Sequence, residues 1–152
     1  MMTRMSDAYV RPEQRLVPDP TPTSTAFWTG GERGELLIYR CQSCSHWFHP
    51  PAEACWRCRS VEVGPQPASG RGTVAAFTIN RQPWVPGLEP PYVVAMIALE
   101  DEPDTRVMSN VVGVDVEAVH TGMPVEVFFE QWEDVWVPLF RPVQAQAAGA
   151  RA

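Results

Sequence analysis

The chain has 152 residues, 45% of them apolar, with 12 basic and 18 acidic side chains and a net charge of −6, which suits one ordinary domain or two small ones sharing a core. All 12 cations are arginine, so a Schiff-base or P-loop lysine is excluded, and the acidic balance argues against a protein that coats nucleic acid. Sixteen prolines exclude long helical bundles, and there is no apolar run of the length that crosses a membrane as a helix.

Residues 1–20 read as an extended, proline-punctuated leader, partly ordered at best or resting on something else. It lacks the apolar core of a secretory signal. Four cysteines without such a signal point to the cytoplasm, where thiols bind metal more often than they pair. Over 21–34, Thr21 can cap a short helix with Pro22 at its first position, Phe27 and Trp28 follow, and Gly30, Gly31 and Gly34 stop it. From Glu35 the period changes: Leu36, Ile38 and Arg40 alternate with Leu37, Tyr39 and Cys41, a strand that opens a zinc-ribbon segment over 35–68. Residues 59–70 read as a connector.

The barrel segment over 69–142 is all β. Strands are expected over 73–80, 92–99, 106–112, 125–131 and 135–140, with a proline-rich loop at 81–91 and an acidic turn at 100–105. Tyr92–Leu99 is apolar on both parities, so Val93, Ala95, Ile97 and Leu99 should share one face and Tyr92, Val94, Met96 and Ala98 the other, one face meeting the barrel interior and the other the ribbon, the helix or a partner. One helical turn is expected over Asp115–His120. Residues 143–152 read as a disordered tail. The fold class is mainly β: a short N-terminal helix, a rubredoxin-like zinc ribbon, then a five-stranded barrel of the OB type, with a sandwich fragment as rival.

The cysteines form Cys41-Gln42-Ser43-Cys44, ten residues, then Cys55-Trp56-Arg57-Cys58. Each CxxC knuckle sets two thiolates on one side of a tight turn, and two facing knuckles make a tetrahedral four-sulfur cage. Such a cage is closed to water, so its metal is structural rather than hydrolytic. Structural Zn²⁺ on Cys41, Cys44, Cys55 and Cys58 is the leading assignment; a rubredoxin-like iron and two redox dithiols are the alternatives. His46 and His49 are surplus to a complete ligand set and read as loop residues, and Arg57 and Arg59 as screens for the dianionic centre. His120 and the carboxylates of Glu100, Asp101, Glu102 and Asp104 read as solvated. There is no GxSxG, HExxH, GxGxxG after a strand, or P-loop, and no catalytic residue is assigned.

Several short motifs occur in a fixed order: the Phe27-Trp28 helix, Gly34-Glu35-Leu36 before the first knuckle, the CxxC–x10–CxxC set, Ser69–Val74 at the barrel start, Pro91–Ala95, Gly122–Val127 and Pro138–Pro142. In this order, over residues 19–142, the chain resembles the zinc-ribbon/OB-fold proteins associated with acyl-CoA metabolism. The resemblance implies an accessory role beside a thiolase-like enzyme or a lipid-transfer-protein-type aldolase that cleaves steroid side-chain CoA thioesters. In the aldolase setting the family domain is sometimes fused to a hydratase subunit; no hydratase sequence is present here, so the expectation is a free-standing subunit or an excised domain.

That reading implies a hetero-oligomer sharing acyl-CoA with its partner, without nucleic acid or membrane. The ribbon and helix would dock through Phe27, Trp28, Trp47 and Phe48, and Arg71, Arg81 and Arg141 are candidates to meet CoA phosphates. Turnover would require the partner. The alternative from another class is a single-stranded nucleic-acid-binding OB protein, and rubredoxin-like electron transfer is a third.

Overall fold

The computed structural model describes residues 9–144. The tail expected over 143–152 and the first part of the leader thus fall largely outside the described residues. Helix α1 spans Thr25–Thr29 and continues as a 3₁₀ turn over Gly30–Arg33. It starts later than Thr21 because residues 21–24 form a separate turn, in which the Thr21 carbonyl accepts from the Ser24 and Thr25 N–H groups. Gly34, at φ 72°, ends the 3₁₀ turn in the left-handed region that only glycine enters cheaply. Gly31 lies against Trp136 and Phe129, where a Cβ would overlap both side chains, so a glycine is what lets this turn rest on the barrel.

The ribbon is a three-stranded antiparallel sheet in the order β2-β1-β3, with β1 at Leu37–Cys41, β2 at Trp47–Phe48 and β3 at Val63–Pro67. The region 59–70 is therefore not a simple connector. Pro65 and Pro67 are tolerated because β3 is an edge strand, where a missing N–H costs no ladder bond. The faces of the ribbon serve two cores. Leu36, Ile38 and Trp47 join the barrel core with Phe27, while Cys41, Phe48 and Cys55 form a small core of their own, flanked by Tyr39, Cys44 and Val63.

The remaining strands are β4 (Arg71–Asn80), β5 (Tyr92–Leu99), β6 (Arg106–Val111), β7 (Pro124–Trp132) and β8 (Val135–Pro142). They close in the order β4-β5-β6-β8-β7, the OB arrangement, with β6 and β8 parallel and a 3₁₀ turn at Val116–Ala118 between β6 and β7. A bulge between Val74 and Ala76 bends β4 so that it pairs with β5 along its length and with β7 at its start. On β5 the parity is as expected: Val93, Ala95, Ile97 and Leu99 are buried, and the opposite set is half-buried. Burial of Val93, Ile97 and Leu99 contributes about 1.5–3 kcal/mol each, and that of the Ala95 methyl less.

The leader is not free where it is described. Residues 9–15 run along the barrel as a strap. Glu130 of β7, only 5% exposed, accepts from the Tyr9 hydroxyl, from Arg15 Nε at 3.1 Å and from Trp132 Nε1 at 2.6 Å. Arg15 also donates to Asn110 Oδ1 at 3.0 Å, and Arg11 donates to the Gln131 carbonyl while lying 4.0 Å over the Trp132 ring. Burial, reinforced by the Glu130 carboxylate, pushes the Tyr9 hydroxyl up to about 12. The strap and the 87–92 and 110–116 segments wall a cleft of about 700 Å³ at one end of the barrel. Among the described residues no helix is long and apolar enough to cross a membrane.

Candidate metal centre and its surroundings

The first knuckle follows β1 directly, and the second is carried on the loop between β2 and β3. In the first, the Cys41 carbonyl accepts from the Ser45 N–H at 3.0 Å; in the second, the Cys55 carbonyl accepts from the Arg59 N–H at 2.8 Å. Ser45 and Arg59, each four residues after the first cysteine of its knuckle, share the left-handed conformation with φ 63° and 64°. The two knuckles are thus built alike and face each other. All four sulfurs lie within 4.8 Å of one another. Cys41 and Cys58 approach to 3.5 Å, Cys44 and Cys55 to 3.7 Å. A tetrahedral ZnS₄ unit with Zn–S near 2.3 Å has sulfur–sulfur edges of about 3.8 Å, so the cage fits such an ion.

The electrostatics agree with that fit. The Cys44 backbone N–H favours a thiolate at Cys41 and brings its pKa down to about 6. Cys58 behaves oppositely. The Ser60 N–H favours its thiolate, but desolvation and contacts with the Cys41, Cys44 and Cys55 sulfurs push it up to about 12. Four sulfurs this close cannot all ionise unless a cation lies between them, and a divalent soft-tolerant ion is what the donor set suits.

The histidines have separate structural settings. His46 is 2% exposed and its Nδ1–H donates to Glu102 at 3.1 Å. His120 is exposed and bonds the Ala118 carbonyl. His49 packs against Phe27 with ring centroids 4.8 Å apart, and burial lowers its pKa from 6.5 to about 4. Below pH 6.5 the unfolded chain takes up this proton before the folded one does, so stability present above pH 6.5 is lost as pH falls toward 4. The expected loss is on the order of 2 kcal/mol. Thermal melts between pH 7.5 and 4.5 should show it in the wild type, with a shallower slope in His49→Phe.

Two expectations about surfaces are corrected. Phe27, Trp47 and Phe48 are buried and cannot form a docking surface: the loop between the knuckles folds back so that Trp47 enters the barrel core. Nor is Glu102 a solvated turn residue, because its carboxylate reaches back to the ribbon. Among the described residues the exposed aromatics are Trp56, Trp84 and, less so, Phe77, and Trp28 is half-buried. On the barrel wall Met108 of β6 is 67% exposed and directly opposite Met96 of β5, which pairs in turn with Ala76 of β4. A groove of about 140 Å³ runs beside Met108, walled by Trp28, Val137 and Pro138.

The three candidate arginines do not form one cluster. Arg71 and Arg141 lie in one row across the sheet with Glu126 between them, and Arg141 Nε contacts that carboxylate at 3.3 Å. The Arg71 guanidinium has no ion pair among the described residues. Arg81 follows the opposite end of β4 and pairs with Glu117.

Two family models match the chain in succession: the rubredoxin-like zinc ribbon domain of ChsH2 over residues 28–63, and the C-terminal OB-fold domain of ChsH2 over residues 65–130. Among curated proteins, the chain is 34% identical over 131 residues to the 3-oxo-4,17-pregnadiene-20-carboxyl-CoA hydratase alpha subunit of Mycobacterium tuberculosis, covering 84% of this chain and 41% of that protein. It is 34% identical over 123 residues to the probable enoyl-CoA hydratase alpha subunit of Thermomonospora curvata, covering 80% of this chain and 38% of that protein. The chain therefore spans about two fifths of the length of these relatives. Among solved structures it resembles a chain of the Ltp2-ChsH2(DUF35) aldolase, with a TM-score of 0.74 and 32% identity over 83% of this chain and 98% of that one.

Proposed function

The chain belongs to the family of ChsH2-type zinc-ribbon/OB-fold proteins, and from that membership we propose that it is an accessory, non-catalytic subunit of an acyl-CoA aldolase or thiolase complex. The observation that carries the reading is the match, across nearly the whole of the compared chain, to a component of an aldolase assembly. The side-chain inventory supports it. Among the described residues no histidine bonds a nucleophile: His46 is held by Glu102, His120 by a backbone carbonyl, and His49 is packed on Phe27.

In this reading Cys41, Cys44, Cys55 and Cys58 hold one Zn²⁺, which supplies folding energy to a ribbon whose own core is three buried residues. The partner is a lipid-transfer-protein-type aldolase or thiolase-like subunit, which provides the reacting groups. This chain docks on it through the outer barrel wall around Met96 and Met108 and the groove beside Trp28. Methionine pairs and a half-buried tryptophan are what a well-packed interface centre uses, because they give up much apolar surface and adapt in shape. Acyl-CoA lies between the two subunits, with Arg71 and Arg141 as the pair nearest in chemistry to a CoA phosphate site; Arg81 stands apart from them.

The test is Met108→Glu, which puts a charge on an exposed position and so should leave the melting temperature nearly unchanged. Mixed with an Ltp2-type aldolase subunit from the same organism, the wild type should co-elute on size exclusion and the variant should lose affinity by tenfold or more. Co-elution of the variant at full strength would place the interface elsewhere, and failure of the wild type to bind would remove the partner assignment.

A further inference from the structure

The turn between β5 and β6 reads as a solvated acidic run, yet it is where the barrel takes hold of the ribbon. Glu102 Oε2 accepts from the Trp47 backbone N–H at 3.0 Å and from His46 Nδ1–H at 3.1 Å, and its Oε1 accepts from the Arg57 guanidinium at 3.3 Å. His46 and Trp47 leave the first knuckle, and Arg57 lies between the two cysteines of the second. One carboxylate therefore grips the backbone of one knuckle's exit and the side chain at the centre of the other. Against the desolvation that would raise it, the Trp47 N–H and the charges of His46 and Arg57 keep this carboxyl below its ordinary range.

The neighbours in the same turn complete the hold. The Thr105 hydroxyl donates to the Trp47 carbonyl at 2.9 Å, and the Asp101 carboxylate accepts from the N–H and hydroxyl of Ser69, the residue that links ribbon to barrel. The Glu100 N–H donates to the Arg71 carbonyl at 2.9 Å.

We propose that Glu102 is a positioning residue of the metal centre, supplied by the barrel: it holds both knuckles at the spacing where four sulfurs converge, so the barrel sets part of the ribbon's affinity for a tetrahedral divalent cation. Glu102 does not touch the ion; it acts through the Trp47 backbone and Arg57. Coupling between two sites is reciprocal, so filling the cage also orders the β5–β6 turn and the ribbon–barrel junction. The metal thereby fixes the angle between the two modules as well as the ribbon's own fold. This rests on the zinc reading of the cage but not on the identity of any partner.

The test uses the full chain and Zn²⁺ alone, competed against a chromophoric chelator. Removing partners that orient metal ligands from outside typically weakens binding about 10–100-fold, and Glu102→Ala should show a loss of that size. Glu100→Gln, an exposed carboxylate in the same turn, controls for charge and should stay within about twofold of wild type by the same measure. In the wild type, chelation should lower hydrogen-exchange protection at the Leu99, Glu100 and Thr105 amides, which bond within or beside the turn. Unchanged zinc affinity in Glu102→Ala, or turn amides that ignore chelation, overturns the proposal. If the variant does not fold, the wild-type exchange result decides alone. A wild type with no tight zinc site would instead overturn the cage assignment, and this proposal with it.

Discussion

Replacing Cys55 by serine is expected to strip the metal from the protein and melt the outer half of the ribbon, while the barrel stays folded. The asymmetry comes from how the two cores divide. Cys55 is buried in a cluster whose other buried members are only Cys41 and Phe48, far too little apolar surface to order a loop of this length. Binding of a structural Zn²⁺ is worth about 10–16 kcal/mol in ribbon-sized units, and in such units it is folding free energy. Leu36, Ile38 and Trp47, by contrast, are anchored in the barrel core and should keep β1 and β2 partly in place. Metal analysis should fall from one equivalent of zinc to a small fraction, and exchange protection should vanish around the second knuckle, over roughly residues 50–62. Full zinc content with an unchanged unfolding transition would refute the four-sulfur assignment.

Truncating Glu130 to alanine carries the second large effect. Its carboxylate is the common acceptor for Tyr9, Arg15 and Trp132, and the Arg15 side chain is only 11% exposed. Removing one partner of a buried ion pair leaves an uncompensated charge and costs about 3–5 kcal/mol. In a chain of this size that lowers the melting temperature by roughly 10 °C. The cost is capped by release of the strap, which lets Arg15 regain water. Limited trypsin digestion should therefore cut after Arg15 in the variant and not in the wild type, whereas the Arg11–Pro12 bond resists trypsin in both. The double variant Arg15→Met/Glu130→Leu should recover most of the loss, because a well-packed apolar pair can replace a buried ionic one. Stability of Glu130→Ala within about 1 kcal/mol of wild type would show that the strap contributes little.

What could be read from the residue order was local chemistry and apolar runs bounded by turn residues. The cage was legible because CxxC spacing dictates sulfur placement within a single turn. The barrel was legible because 92–99 and 135–140 are short apolar runs rich in β-branched and aromatic residues, bounded by acidic turns and prolines. The ribbon's third strand was hidden by its own composition: Pro65 and Pro67 look like breakers and are harmless only at a sheet edge. Phe48 and Trp47 looked like an exposed loop because nothing local says that the loop folds onto the barrel. Glu102 and Glu130 were invisible for a different reason. Their partners lie 45–56 and 115–121 residues away for the ribbon and strap contacts, so no window of sequence pairs them. An acidic residue among four in a turn carries no mark that its carboxylate reaches back to the ribbon.

In the proposed role this chain enables a partner's chemistry without performing it. The most direct measurement is thioester-substrate turnover by an Ltp2-type aldolase subunit from the same organism, assayed with a steroid side-chain acyl-CoA substrate alone, with this chain added, and with this chain by itself. No turnover is expected from this chain alone, and partner activity should rise at least tenfold when the chain is added. Full activity of the partner alone, or turnover by this chain alone, would contradict that role.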